Sequence, residues 1–378
     1  MASRFPTAVY RHRLARAAEL ADASGVDALI ITPGPDLTYL IGSTAQTFER
    51  LSALVVPATG GPVLVVPRLE VASFGESAAT ELGLTTVPWV DGEDPYALAL
   101  QHLPGNPQVA VSDSMPAGHL VPLMTATETR PLLATDILRE LRMIKDDDEI
   151  AALRRAGAAI DRVHARMGEW LRPGRTEAAV AADIAAAIVA EGHTEAAFVI
   201  VGSGPNGADP HHEHSDRVIT ESDVVVIDIG GPVEPGYNSD STRTYCFTEP
   251  RADVARAYAV LEEAQAAAVA AVRPGVTAES VDAAARDHLA AAGLADHFIH
   301  RTGHGIGLSV HEEPYIVAGN DVVLAPGMAF SVEPGVYFDG DWGARIEDIV
   351  VVTDDGCEPL NLRSHALTRL PTASGEDR

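Results

Sequence analysis

Apolar positions in the first third of the chain alternate between helical and extended spacing. Tyr10 to Ala23 reads as an Ala-rich amphipathic helix, and Ala28-Leu-Ile-Ile-Thr32 is a short apolar run of strand length. Leu51 to Val56 and Pro62 to Val66 flank Ala-Thr-Gly-Gly, which predicts a hairpin. Gln108 to Ser112 predicts a further strand and Asp136 to Met143 a helix. Helices interleaved with strands over this length describe an α/β unit of ordinary domain size.

The rhythm changes after Met143. Lys145-Asp-Asp-Asp-Glu149 opens a long helix, Glu149 to Leu171, which Pro173-Gly174 stops. A second helix runs from Thr176 to Glu191, with Glu177 in its first turn, where an acid suits the helix dipole. Two Ala-rich helices follow, around Val254 to Val272 and Ala278 to Ala292. Around them lie extended runs: Phe198 to Val201, Val224 to Ile229, Thr242 to Phe247, Ala329 to Val332 and Arg345 to Val352. This order does not fit repeated βαβ units, so residues 144–378 are expected to be α+β with a largely antiparallel sheet. Residues 1–143 form the smaller α/β domain of this expectation. Pro371 to Arg378 reads as a tail.

The 378 residues are 46% hydrophobic, enough to bury a sizeable core in two domains. A net charge of -27, spread along the chain, argues against a nucleic-acid or anionic-membrane partner. Two cysteines are too few for a disulfide scaffold, no apolar run approaches the ~18 residues of a membrane helix, and the arginine-bearing N-terminus lacks a signal-peptide core. A cytoplasmic enzyme is the expectation.

Four acids and one histidine stand out: Asp228, Asp240, His304, Glu333 and Glu347. Each acid lies in or beside an apolar strand-like run, where an ionised carboxylate is costly unless a cation compensates it. Residues two apart in a strand share a face. Asp240, Thr242 and Thr244 therefore line one side of their strand, and Arg345 and Glu347 one side of theirs. Asp348 points the other way. Thr242 and Arg345 become natural partners for orienting the carboxylates. Oxygen donors with one imidazole suit Mn²⁺, Co²⁺ or Fe²⁺, with Zn²⁺ also open. Two divalent cations nearly balance four carboxylates, so charge favours a pair of ions sharing a hydrolytic nucleophile.

His211 in Asp-Pro-His-His-Glu-His and His311 in Ser-Val-His-Glu-Glu lie in turn-rich surroundings suited to proton transfer or contact with a substrate carbonyl. For His211, His212 and His214 a polar surface loop is an equal alternative. Gly202-Ser-Gly-Pro-Asn-Gly207 matches a dinucleotide fingerprint in letters only, because Pro205 and Pro210 favour a loop where a helix must start. His311-Glu312 is no zincin motif, since Tyr315 stands in place of the second histidine.

Taken in order, these segments resemble the pita-bread metallopeptidases, the family of methionine aminopeptidase, aminopeptidase P, proline dipeptidase and creatinase. The resemblance rests on Asp228-Ile-Gly, Gly236-Tyr-Asn-Ser-Asp-Ser-Thr-Arg-Thr244, Thr302-Gly-His-Gly-Ile-Gly-Leu, Val310-His-Glu, Ser331-Val-Glu-Pro-Gly and Arg345-Ile-Glu-Asp348. It covers residues ~145 to ~365, and the preceding unit resembles the creatinase-type N-terminal domain. The likeness is nearest to bacterial Xaa-Pro dipeptidase-like members. It implies that Asp228 chelates one metal, Asp240 and Glu347 bridge, and His304 and Glu333 bind the other, with Glu333 also shuttling protons. It implies substrate contacts by His211 and His311, a proline pocket formed by Phe198 and Val310, and a homodimer. The implied activity is hydrolysis of Xaa-Pro or related dipeptides by a metal-bridged hydroxide. An aminopeptidase P acting on longer peptides, or a non-catalytic peptide-binding module, are the alternatives. The chain departs from the family in two places. The Asp228–Asp240 segment is one residue longer than usual, which a bulge or wider turn would absorb. Tyr315, assigned to the substrate pocket, stands where proline dipeptidases place an arginine that grips the substrate carboxylate.

Overall fold

The structure, a computed structural model, describes residues 4–46 and 49–372, so the end of the expected tail lies outside the described residues. The chain divides into two compact units, Met1–Arg142 and Met143–Arg378.

The first unit is built on a six-stranded mixed sheet. Its strands are β1 (Ala28–Ile31), β2 (Ala53–Pro57), β3 (Val63–Pro67), β4 (Thr85–Trp89), β5 (Val109–Val111) and β6 (Leu132–Leu133), in the order β4-β3-β2-β1-β5-β6. β2 and β3 form the expected antiparallel hairpin across the Gly-Gly turn. Ile30, Val55, Val65, Val111 and Trp89 pack into its core. Two helices, Pro35–Ile41 and Ala117–Thr127, fall where the apolar pattern gave no signal. The second carries Pro122 inside it, and an internal proline ordinarily argues against a helix.

In the second unit the helix Asp147–Ala165 begins with a capping box, in which Asp146 accepts from the Glu149 amide and Glu149 from that of Asp146. It ends six residues before the expected Leu171. The chain tightens into a 3-10 turn, Met167–Glu169, around the poor helix former Gly168. The helix Glu177–Ala190 follows, capped by Thr176. Both cover one face of a four-stranded sheet made of β7 (Phe198–Ser203), β8 (Val224–Val233), β9 (Tyr237–Cys246) and, at its edge, β17 (Thr368–Arg369). Val225, Ile227 and Ile229 of β8 pack among Ile160, Val163, Val180 and Ile184 of these helices. Alternation along a strand then sends Asp228 to the opposite face.

The second half of this unit repeats the plan. Helices Ala252–Ala271 and Ala278–Ala291 cover a five-stranded antiparallel sheet. It contains β10 (Gly303–Gly305), β11 (Glu312–Ile316), β12 (Ala329–Val332), β15 (Asp348–Val352) and β16 (Cys357–Pro359), ordered β11-β10-β12-β15-β16. A hairpin of β13 (Gly335–Phe338) and β14 (Trp342–Arg345) lies between β12 and β15 in sequence. Phe330, Val332, Val350 and Val352 face the helices, which turns Ser331 and Glu333 away from them. Each sheet buries one apolar face against helices, and the polar faces meet across the unit. This is the expected α+β architecture.

One local expectation is corrected, and one of two alternatives is excluded. Arg345 to Val352 is not one strand: β14 ends at Arg345, and β15 begins at Asp348 in another sheet. The long Asp228–Asp240 segment contains no bulge, because the β8–β9 register is unbroken from Val224 opposite Cys246 to Val233 opposite Tyr237. The chain reverses in the turn Glu234-Pro-Gly236, where Gly236 supplies the positive φ of 110°.

Candidate metal centre and its cavity

The unbroken β8–β9 register sets Asp228 opposite Thr242, and Asp240 opposite Gly230. All four positions share one face. From the other sheet comes His304, on β10. Gly303 before it has no room for a side chain, because a Cβ there would overlap the Ser331 carbonyl. That contact brings β10 and β12 close enough for the His304 amide to donate to Ser331 Oγ at 2.9 Å. Ser331 Oγ in turn donates to Glu333 Oε1 at 3.1 Å. Glu347 projects from the link between β14 and β15.

These side chains converge on the floor of a cavity of about 880 Å³, whose lining includes all five acid and imidazole groups. Ligand atoms of Asp240, His304 and Glu347 all lie within 4.8 Å of one another, and the three residues are buried. His304 Nε2 is 3.5 Å from Asp240 Oδ2 and 3.3 Å from Glu333 Oε1. Its Nδ1 lies 3.1 Å from the Gly305 carbonyl oxygen, so the Nδ1–H donates there and Nε2 presents a lone pair. Burial pushes His304 down to about 3. At neutral pH the imidazole is therefore uncharged and offers no proton to the two carboxylate oxygens it faces.

Asp228 and Glu347 are each held by one oxygen. Arg345 donates through a terminal guanidinium nitrogen to Asp228 Oδ2 at 2.6 Å, and Thr242 Oγ1 donates to Glu347 Oε2 at 2.8 Å. The remaining oxygens, Asp228 Oδ1 and Glu347 Oε1, are buried without a hydrogen-bond partner. Burial and the charges of Glu347, Asp228 and Glu333 push Asp240 well above the usual carboxylate range. Burial and the charges of Glu333 and Asp228 do the same to Glu347. Glu333 is pushed up to about 7 by burial, against the opposing charge of Arg345. Lone pairs converge with no donor to satisfy them, and like charges crowd in a dry place. Divalent cations fit this arrangement on both counts. Asp348 faces away and is held by Arg243 at 2.7 Å and His365 at 2.6 Å.

His211, Phe198, Val310 and His311 also line the cavity. The His311 ring stands edge-on to His304, with centroids 4.1 Å apart. Burial and the Arg301 charge lower its pKa, which keeps it neutral. The His211–His214 segment divides between the two readings left open for it. His211 and His214 line the cavity, whereas His212 turns away and bonds Glu177 at 2.9 Å. Gly204–Ala208 forms a 3-10 turn after β7, not the α-helix a dinucleotide would need. Tyr315 requires a correction, since it is not among the residues lining the cavity. It pairs with His304 across β10 and β11, and its ring lies beneath the guanidinium of Arg301, 4.5 Å from its centroid. Arg301 is the group that reaches the wall.

Three participants escaped the sequence reading. His300 and Arg301 both line the cavity, and His300 Nε2 lies 2.9 Å from the Tyr337 hydroxyl, which accepts from Arg345 at 2.8 Å. Two basic side chains directly before Thr302-Gly-His were the available signal. Glu177 was read as a dipole partner of its helix. It does lie in that first turn, and it is also fully buried, accepting from the amide and hydroxyl of both Ser203 and Ser215, from Asn206 and from His212. No local pattern marks such an acid, because its partners come from a loop 26 to 38 residues away.

Comparison with known proteins agrees with this geometry. Residues 151–354 match metallopeptidase family M24, and residues 13–144 match the creatinase/prolidase N-terminal domain. The chain belongs to metallopeptidase family M24. Its fold is the pita-bread fold preceded by a creatinase-type N-terminal domain. A probable dipeptidase PepE of Mycobacterium tuberculosis is 65% identical over 371 residues, covering 98% of this chain and 99% of that protein. An Xaa-Pro dipeptidase of Lactobacillus delbrueckii subsp. lactis is 33% identical, covering 92% and 96%. Among solved structures, dipeptidase PepE of Mycobacterium ulcerans superposes with a TM-score of 0.94 at 63% identity, covering 98% and 100%. Members of this family are metallopeptidases, so divalent ions are the expected occupants of the carboxylate cluster. Among the described residues no helix is long and apolar enough to cross a membrane.

Proposed function

We propose that this M24 metallopeptidase is a dipeptidase that cleaves the single peptide bond of Xaa-Pro or related dipeptides. The observation that carries the reading is the convergence of Asp240, His304 and Glu347 within 4.8 Å on the floor of the cavity. Asp228, Asp240, His304, Glu333 and Glu347 would together hold two divalent ions, Mn²⁺ being our first choice. When bound, such ions polarise a carbonyl and lower the pKa of water to near neutrality.

The protein's own groups supply the rest. Arg345 and Thr242 fix which oxygens of Asp228 and Glu347 face the centre. Glu333, whose Oε1 lies 3.3 Å from His304 Nε2 at the centre, would take the proton from the attacking water and pass it to the departing amine. Neutral His311 donates to the oxygen of the scissile carbonyl as charge develops there. His211, which lines the same cavity, contacts the same substrate. Phe198 and Val310 form the apolar wall against which a proline ring packs. In this reading residues 144–378 are the catalytic domain and residues 1–143 an accessory domain. A cytoplasmic homodimer is the form in which we expect it to act.

The test is hydrolysis of Ala-Pro, Ala-Leu and Ala-Pro-Ala after metal stripping and re-addition of Mn²⁺. Metal-dependent cleavage of the dipeptides is expected. Cleavage of the tripeptide alone would make the protein an aminopeptidase, and no metal-dependent cleavage at all would leave a binding module.

A further inference from the structure

A dipeptide brings two opposite charges into the cavity. Its ammonium has the acidic cluster to approach, while its C-terminal carboxylate follows the scissile carbonyl by one residue, about 3.5 Å of chain. The carboxylate therefore needs a cation in the same cavity, close beside that cluster. Two arginines line the wall, Arg345 and Arg301. Arg345 is fully committed: it donates to Thr242 Oγ1, the Tyr337 hydroxyl and Asp228, and its side chain is 3% exposed.

Arg301 is different. Among the described residues no carboxylate lies within ion-pair distance of it, and no hydrogen bond engages its guanidinium. It is held over the Tyr315 ring at 4.5 Å. That contact acts through the aromatic face and uses none of the guanidinium's N–H donors. In a cavity otherwise dominated by acids, this is a positioned cation with its hydrogen-bonding capacity unspent.

We propose that Arg301, steadied by Tyr315, binds the C-terminal carboxylate of the substrate and thereby sets the preference for dipeptides. The inference rests on the dipeptidase reading above. A guanidinium can meet a carboxylate with two parallel N–H···O bonds. A longer peptide presents a neutral amide at this point and leaves the cation without a counter-charge, which turns a missing contact into a penalty. Tyr315 thus contributes through the arginine above it rather than by touching the substrate.

Steady-state kinetics on Ala-Pro and on Ala-Pro amide, with wild type, Arg301→Ala and Arg301→Lys, test the assignment. Wild type should prefer the free acid. Arg301→Ala should lose about 100-fold in kcat/KM on Ala-Pro, the size of a lost charge-assisted pair. The loss should be carried mainly by KM, and the amide should lose far less. Arg301→Lys should recover part of the acid preference. Mn²⁺ content and Tm, measured on each variant, separate this from a folding defect. If Arg301→Ala keeps the wild-type ratio of acid to amide, or loses equally on both, the carboxylate assignment is overturned while the dipeptidase reading stands. If wild type does not cleave Ala-Pro at all, the dipeptidase reading fails and takes this inference with it.

Discussion

Arg345 donates to Asp228 Oδ2 at 2.6 Å, and the other oxygen of that carboxylate is left buried and bare. The same guanidinium donates through Nε to Thr242 Oγ1 at 3.0 Å, and Thr242 donates to Glu347 Oε2. One cation therefore orients two carboxylates, one directly and one through a hydroxyl. Lysine has the charge but not the planar fork that makes three such contacts at once. Arg345→Lys is expected to weaken Mn²⁺ binding by about 10–100-fold, measured by calorimetric titration of the stripped protein. Unchanged affinity would mean that the carboxylates hold their orientation without Arg345.

The acidic cluster also predicts how stability responds to metal. Four carboxylates facing one another without a cation repel, and an ion that binds only the folded state stabilises it by mass action, about 2.7 kcal/mol at a hundredfold excess over Kd. Chelation should lower Tm, and Mn²⁺ should restore it in a concentration-dependent way. Asp240→Asn removes one of the repelling charges and one ligand. In chelator this variant should melt above wild type, yet gain little from added Mn²⁺. A variant that melts below wild type in chelator would show that repulsion at Asp240 is not a cost to the fold.

The same residues show what could be read in advance. The period-two pattern of β8 and β9 gave Asp228, Asp240 and Thr242 a common face, because strand alternation is a local property. Asp348 was separated from Glu347 by the same rule, although the supposed single strand breaks between Arg345 and Asp348. The rule succeeded because alternation continued through the break. Arg301 and Tyr315 were not paired, since their contact depends on β10 and β11 lying side by side. β10 has three residues, two of them glycine, and carries no apolar signal of its own. The wider network of Glu177 was not legible for a related reason: the donors that bury it lie on another segment.

Glu177 predicts a defect transmitted by the backbone. It gathers Ser203, Asn206, His212 and Ser215, the two ends and the middle of the loop that carries His211. Burial pushes its pKa up, but hydrogen bonds from Ser203, His212 and Ser215 more than offset this and hold it ionised. Glu177→Gln replaces one acceptor oxygen by a donor that faces other donors. The expected cost is about 2–4 kcal/mol in stability, with a drop in kcat/KM because His211 is less well placed. Urea unfolding and Ala-Pro hydrolysis measure the two effects. Lost stability with full activity would show that His211 does not depend on this anchor.

His164 predicts the acid limb of the stability profile. The ring is buried, with Nε2 3.1 Å from the Ser241 carbonyl oxygen and Nδ1 2.9 Å from the Tyr245 hydroxyl. The Nε2–H donates to the carbonyl and Nδ1 accepts from the tyrosine, so the neutral ring is fully satisfied. Burial, reinforced by the charge of Arg243, pushes its pKa down to about 3 from an ordinary 6.5. Above pH 6.5 the folded and unfolded chains both carry it neutral, and its stabilising effect is complete. Between 6.5 and 3 only the unfolded chain takes up the proton, so the folded state loses up to about 1.4 kcal/mol per pH unit through this one group. His164→Gln keeps a donor for the Ser241 carbonyl but cannot titrate. Its unfolding free energy, measured in urea between pH 7 and pH 5, should fall less steeply than that of wild type by up to that amount. Equal slopes would mean that the buried imidazole is already protonated in the folded protein, and that Tyr245 accepts from it rather than donates.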